Sequence, residues 1–206
     1  MNVTIRKFYR SRSAFTLIEL LVVIAIISVL IGLAFPAFQG VQNQAKKVQA
    51  KNDLTQIVTA VNAFYAEYGR YPTDAVADPD AIYGPEGGAN TNDKLFNELR
   101  ATGTFTLNTR QIVFLSPPDV KDRNNPRGGI GGNGQYYDPW GTQYNVQMDA
   151  DYTDQMANPY PDTDGSAGAP QLRQGVTAWS YGRDQTKGTR NVSANYRNSD
   201  DVISWQ

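Results

Sequence analysis

The stretch SRSAFTLIELLVVIAIISVLIGLAFPAF, residues 11–38, decides how this chain is read. From Phe15 to Phe38 it is interrupted by one charge only, the carboxylate of Glu19. As a helix this run would reach about 36 Å at 1.5 Å per residue, enough to cross a hydrocarbon core of about 30 Å. Ahead of it, residues 1–14 carry Arg6, Lys7, Arg10 and Arg12 and no acid. Three readings fit a basic leader followed by an apolar run. One is a secretory signal with a small-x-small site at Gly32-Leu33-Ala34. The second is a plain membrane anchor. The third must explain why a greasy helix carries an acid near its start, where hydrocarbon makes a carboxylate costly and the helix dipole favours one.

Composition narrows the function. The chain has 206 residues, 19 basic and 20 acidic, for a net charge of −1. The leader holds four of the positive charges, so the remainder is mildly acidic, unlike a nucleic-acid binder with its basic face. There is no cysteine and no histidine. No disulfide, no thiolate, no Ser-His-Asp triad and no His-based zinc site can be built from it.

Past Pro36 the pattern turns amphipathic. Phe38, Val41, Ala45 and Val48 recur at spacings of three and four, and Leu54, Ile57, Val58, Val61, Phe64, Tyr65 and Tyr68 continue the stripe. The spacing predicts a helix with one docked face, stopped by Gly69 and Pro72. Beyond it, NDKLFNELR predicts a short helix over Asp93–Arg100 with Asn92 as its cap. Strands are expected at Gln111–Leu115, Tyr144–Met148 and Val176–Tyr181, with 116–135 and 149–175 as insertions. These elements predict an α+β chain: a basic leader (1–14), an apolar half-helix (15–38), an amphipathic half-helix (39–68) and a head (69–206) with a small antiparallel sheet.

Two motifs fail on inspection. GIGGNG, Gly129–Gly134, satisfies G-x-G-x-x-G but opens no helix, so it reads as a flexible loop. PDTDGSAG, Pro161–Gly168, has Tyr160 and Gln171 where a calcium loop needs acids, and reads as an Asx turn. YYDPWGTQYNV, Tyr136–Val146, reads as a turn anchored by Trp140 that leads into a strand. After Asp164 the only acids are Asp184, Asp200 and Asp201, in a Gly/Ser/Asn-rich context that could supply oxygens to a hard cation or simply form turns.

AFTLIELLVVIAIISVLIGLAFPAF resembles the N-terminus of type IV prepilins and pseudopilins, with Ala14 where that family usually has glycine. The resemblance implies cleavage between Ala14 and Phe15 by a prepilin peptidase, methylation of the Phe15 amine, and pairing of Glu19 with the amine of a neighbouring subunit. It also implies a type IV pilin-like fold and a non-enzymatic subunit. Such a subunit spans the bacterial inner membrane once, N-terminus cytoplasmic and head periplasmic. It joins a homo-oligomeric helical filament, with minor pseudopilins and an inner-membrane assembly platform driven by a separate ATPase.

YGRYPT, DPWG and the C-terminal WSYGRDQTKG…NSDDVISWQ are similar to turns of the major pseudopilin of type II secretion. That likeness implies a Ca²⁺ site formed by Asp184, Asp201, Ser204 and the Tyr181 carbonyl, with Asp200 as a substitute ligand. Gln185 stands where glycine is usual, and the spacer 186–199 is long. Two alternatives remain: a type IV pilin of a surface fibre, and a membrane-anchored enzyme or binding module.

Overall fold

The computed structural model describes residues 15–74, 80–103, 106–161, 166–189 and 195–206, without the side chains of 34–37. The leader and Ala14 therefore lie outside the described residues. So do residues 162–165, on which the Asx-turn reading of PDTDGSAG rests. Helix α1 spans Leu17–Tyr68 and includes Pro36. Gly69 ends it in a left-handed conformation (φ 67°), its N–H donating to Tyr65 O at 2.8 Å.

The chain divides into two compact units, residues up to Gln42 and Asn43–Gln206. In the first, the described side chains are exposed throughout. The segment is long and apolar enough to cross a membrane. In the second, Ala50, Asp53, Leu54, Ile57, Ala60, Val61 and Phe64 are buried. Their spacing of three and four puts them on one stripe, and each fully buried Leu, Ile or Phe contributes about 1.5–3 kcal/mol. The docked face is shorter than the periodicity suggests. Phe38, Val41 and Val48 share the apolar spacing but are exposed, so docking begins at Ala50. The amphipathic half-helix from Asn43 onward accordingly belongs with the head.

The remaining elements are β1 (Asp80–Tyr83), α2 (Asn92–Leu99), β2 (Gly129–Ile130), β3 (Tyr136–Tyr137), β4 (Asn145–Asp149), β5 (Met156–Ala157), β6 (Gln171–Leu172), β7 (Val176–Ser180) and β8 (Val202–Ile203). The main sheet runs β1-β4-β7-β8, antiparallel throughout. Two short hairpins, β2-β3 and β5-β6, flank it. This is the expected α+β architecture. Ala81, Tyr83, Val146, Met148, Val176, Ala178 and Val202 form one core with the α1 stripe. On the opposite face Trp179 and Ile203 pack with Tyr160, Ala167, Ile82, Tyr181, Tyr196 and Trp205. Both faces are thus covered, and every residue of β4 and β7 is buried.

Several local expectations are corrected. The expected insertion 149–175 carries β5 and β6, and its Tyr160 and Ala167 pack on the sheet. Segment 116–135 likewise holds β2. Gln111–Leu115 forms no strand: Phe114 and Leu115 N–H both donate to Leu99 O (2.8 and 3.1 Å), so its backbone closes the end of α2. Asn92 is not the cap, which is Thr91. The buried Asn92 amide instead donates to Tyr136 O and Tyr144 O, both at 3.0 Å, and its Oδ1 accepts from Tyr136 N–H. Nor is GIGGNG a flexible loop. Gly129–Ile130 pairs with Tyr136–Tyr137, and a Cβ on Gly129 would stand 2.6 Å from Pro118 O.

One acid in the docked stripe sets a pH dependence. Burial raises the Asp53 carboxyl above its ordinary range, against the pull of the Tyr144 hydroxyl, which donates to it at 2.9 Å. A raised folded pKa favours the protonated acid, so the head loses stability as pH rises through that value. Asp53→Asn keeps an acceptor for Tyr144 and removes the charge. Its melting midpoint should exceed that of the unsubstituted chain at about pH 8 and converge with it toward about pH 4.

Candidate functional site

The start of α1 is built by two residues of the quoted stretch. Thr16 donates to Glu19 Oε2 from its backbone N–H (2.8 Å) and its hydroxyl (2.6 Å), and Glu19 N–H donates back to Thr16 Oγ1 (3.3 Å). This reciprocal capping box satisfies backbone donors that the first helical turn leaves open. Sequence reasoning missed it, although Thr-x-x-Glu is its signature. Phe15, just ahead, is 77% exposed.

The second site lies where β7 ends. β8 pairs with Trp179 and Ser180 and brings Asp200 and Asp201 against the turn that leaves β7. Gly182 makes that approach possible. Its φ is 68°, and a Cβ there would stand 2.3 Å from Asp200 O. Arg183 and Asp184 N–H donate to Asp200 Oδ2 (2.9 and 3.2 Å), while Gly188 N–H donates to Asp201 Oδ2 at 2.7 Å. Asp184 Oδ1 accepts from Thr186 N–H at 2.9 Å.

One carboxylate oxygen each from Asp184, Asp200 and Asp201 lie within 4.8 Å of one another. Oxygens on opposite sides of a calcium ion stand about 4.8 Å apart at ordinary bond lengths, so one coordination shell could take all three. The three carboxylates are held under unequal conditions. Asp200 Oδ1 and Asp201 Oδ1 are buried and accept no hydrogen bond. Burial, together with the charges of Asp200 and Asp184, pushes the Asp201 carboxyl up to about 7, despite the Gly188 N–H. The buried Tyr160 hydroxyl faces that carboxylate and also pulls its pKa down, although the pair falls short of full hydrogen-bond geometry.

Of the expected ligands, the structure brings Asp184, Asp200 and Asp201 together. Ser204 pairs with β7. Its hydroxyl accepts from Ala178 N–H (3.0 Å) and its N–H donates to Ala178 O (2.9 Å), farther along β7 from the turn. Tyr181 enters the turn directly before Gly182, and its hydroxyl donates to Glu86 Oε1 at 2.9 Å.

Supporting residues went unread. Glu86 also accepts from Trp179 Nε1 (3.1 Å) and Lys187 Nζ (2.6 Å), tying the turn to the sheet. Gln185 adopts φ 60°, the conformation its expected glycine would take, and donates from Nε2 to Trp140 O at 2.8 Å. Asp138 Oδ1 caps the Asp-Pro-Trp-Gly turn by accepting from Trp140, Gly141 and Thr142 N–H (2.7–2.9 Å). Its Oδ2 accepts from Ser180 Oγ at 2.6 Å, and Ser180 Oγ accepts from Gly182 N–H at 3.1 Å. The buried turn and the acidic corner are therefore mechanically joined.

Residues 9–35 match the prokaryotic N-terminal methylation motif. The motif covers only the N-terminal part of the chain, and the proteins similar to that part are type IV pilins and type II secretion core proteins. The chain is similar to the type IV major pilin protein PilA of Myxococcus xanthus, 39% identical over 67 residues, which cover 32% of this chain and 30% of the relative. It is also similar to type II secretion system core protein G of Aeromonas hydrophila, 34% identical over 64 residues (31% of this chain, 45% of the relative). The Klebsiella pneumoniae core protein G is 33% identical over 84 residues (36% and 60%). The chain thus spans less than half the length of the first two relatives. No solved structure matches.

Gly182→Ala should disturb the acidic corner specifically. The left-handed backbone alone costs an L-residue about 1–2 kcal/mol. The added methyl would also meet Asp200 O at 2.3 Å. A lowered melting midpoint with unchanged helix content by circular dichroism is the expected result.

Proposed function

We propose that this chain is a pseudopilin, the repeating subunit of a type II secretion-type filament, and that calcium closes the C-terminal corner of its head. The observation that carries the reading is the convergence of Asp184, Asp200 and Asp201 with two buried, unpartnered carboxylate oxygens, in a head with no cysteine to staple it. Asp184, Asp200 and Asp201 would hold the ion, and backbone carbonyls would complete its oxygen shell. The ion supplies charge neutralisation and cross-linking of the turn to β8.

The N-terminal half of the reading follows from the methylation motif and the names of the similar proteins. A prepilin peptidase cleaves between Ala14 and Phe15 and methylates the new amine. The apolar segment holds the subunit in the inner membrane, N-terminus cytoplasmic and head periplasmic. Subunits then assemble, with minor pseudopilins, on a membrane platform driven by a separate ATPase. Glu19 accepts the Phe15 amine of a neighbour. A second reading, a type IV pilin of a surface fibre, is favoured by the similarity to the Myxococcus xanthus pilin.

Two measurements test this. Calcium added to the full mature chain in detergent should raise the melting midpoint by roughly 5–10 °C at a hundredfold excess over Kd. Asp201→Asn should abolish that shift, and no shift in the unsubstituted chain would defeat the calcium reading. Glu19→Ala should leave membrane insertion and the mass of the processed N-terminus unchanged while stopping filament formation. Normal filaments from this variant would defeat the assembly mechanism, and long surface fibres containing the chain would favour the pilin reading.

A further inference from the structure

Downstream of the acidic corner the chain forms a strap, Asp200–Gln206, with few fastenings. β8 contributes only two ladder positions, Val202 and Ile203. Ser204 is stitched to Ala178, and Trp205 Nε1 donates to Ala167 O at 2.7 Å on the outer layer. Gln206 Nε2 donates to Ser166 O on the same layer, and a further fastening comes from α1. Lys51 Nζ donates to Ile203 O (2.8 Å), Ser204 O (3.4 Å) and Gln206 O.

This is an unusual use of a lysine. Among the described residues Lys51 forms no ion pair. Its ammonium is spent on three carbonyls of one segment, and burial lowers its pKa. A partly desolvated cation held on backbone oxygens gives up hydration that a solvated surface lysine would keep. The first of those carbonyls, on Ile203, is two residues from Asp201, and Asp201 and Lys51 line the same groove beside α1.

We propose that Lys51 is a positioning residue for the cation corner: it pins the strap to α1 and so holds Asp200 and Asp201 in the register the ion needs. The inference rests on the calcium reading above. In the ion's absence, three mutually repelling carboxylates sit at the root of a strap whose ladder is two residues long. Lys51 and the ion then act on one segment from opposite sides, each reducing the disorder the other must remove. Such coupling is reciprocal, so calcium also tightens the strap against α1. The helix surface at exposed Val48, which lines the same groove, becomes calcium-sensitive as a result.

The test is calcium binding by calorimetry on the full mature chain in detergent, with a matched control. Tyr68→Phe removes a hydroxyl that donates to Asn108 Oδ1 (2.7 Å) and accepts from Arg110 N–H (3.1 Å), weakening the head without touching the strap. Lys51→Met should bind calcium about five-fold or more weakly. Lys51→Arg should recover most of the loss, and Tyr68→Phe should bind like the unsubstituted chain. Hydrogen exchange at residues 201–205 should slow on adding calcium, and slow less in Lys51→Met. Should Lys51→Met not fold, Lys51→Gln carries the same comparison. Unchanged affinity in the Lys51 variant, or an equal loss in Tyr68→Phe, would overturn the inference. If the unsubstituted chain takes up no calcium, the calcium reading falls first and this inference falls with it.

Discussion

The head depends on keeping both faces of one narrow sheet dry. β4 and β7 are buried at every position, so each needs a lid on either side. The stripe of α1 from Ala50 to Phe64 supplies the inner lid, and it is apolar apart from Asp53. The outer lid is less well satisfied. Asn145 Nδ2, Gln147 Oε1 and Thr177 Oγ1 lie buried on that face without hydrogen-bond partners. Unmade buried hydrogen bonds are costly, and regions that carry them open more readily. The outer layer and the strap are therefore the soft side of the head, and the acidic corner lies at the root of the strap.

Much of this was legible in the sequence, and the failures have physical causes. The α1 stripe was readable because apolar residues three and four apart over many turns line up on one side of a helix and of no other regular structure. What the pattern could not say is where the docking partner ends: Phe38, Val41 and Val48 keep the spacing yet are exposed, because periodicity reports an apolar face and not what covers it. β4 and β7 were found within a residue. β8 and the two hairpins have two residues per strand, too few for any period to register. QIVFL has the composition of a strand, but its backbone is claimed by Leu99 at the end of α2.

The candidate site was legible in its acids and not in its scaffolding. Asp184 and Asp201 could be picked out by residue type and likeness. The close packing of Gly182 on Asp200 and the long reach of Lys51 to the strap exist only in three dimensions. Gln185 is instructive in the other direction. Reading it as a departure from glycine cast doubt on the turn, yet the backbone is left-handed there and the side chain holds it by reaching Trp140 O.

Glu19 shows how a carboxylate can cap a helix and, on the proposed assembly mechanism, still take a second partner. Its Oε2 accepts both Thr16 donors in the capping box, and Oε1 takes no hydrogen bond among the described residues. An ionised carboxylate offers about four lone-pair sites, so the box does not exhaust it. The box is made only of Thr16 and Glu19 atoms, so the proposed cleavage before Phe15 would leave it whole. It also fixes the side chain before any partner arrives, which lowers the ordering entropy that an intermolecular pair must overcome. The acid that looks misplaced in FTLIELLVV is thus held ready by its own helix, and a neighbouring amine would complete a site already half-formed.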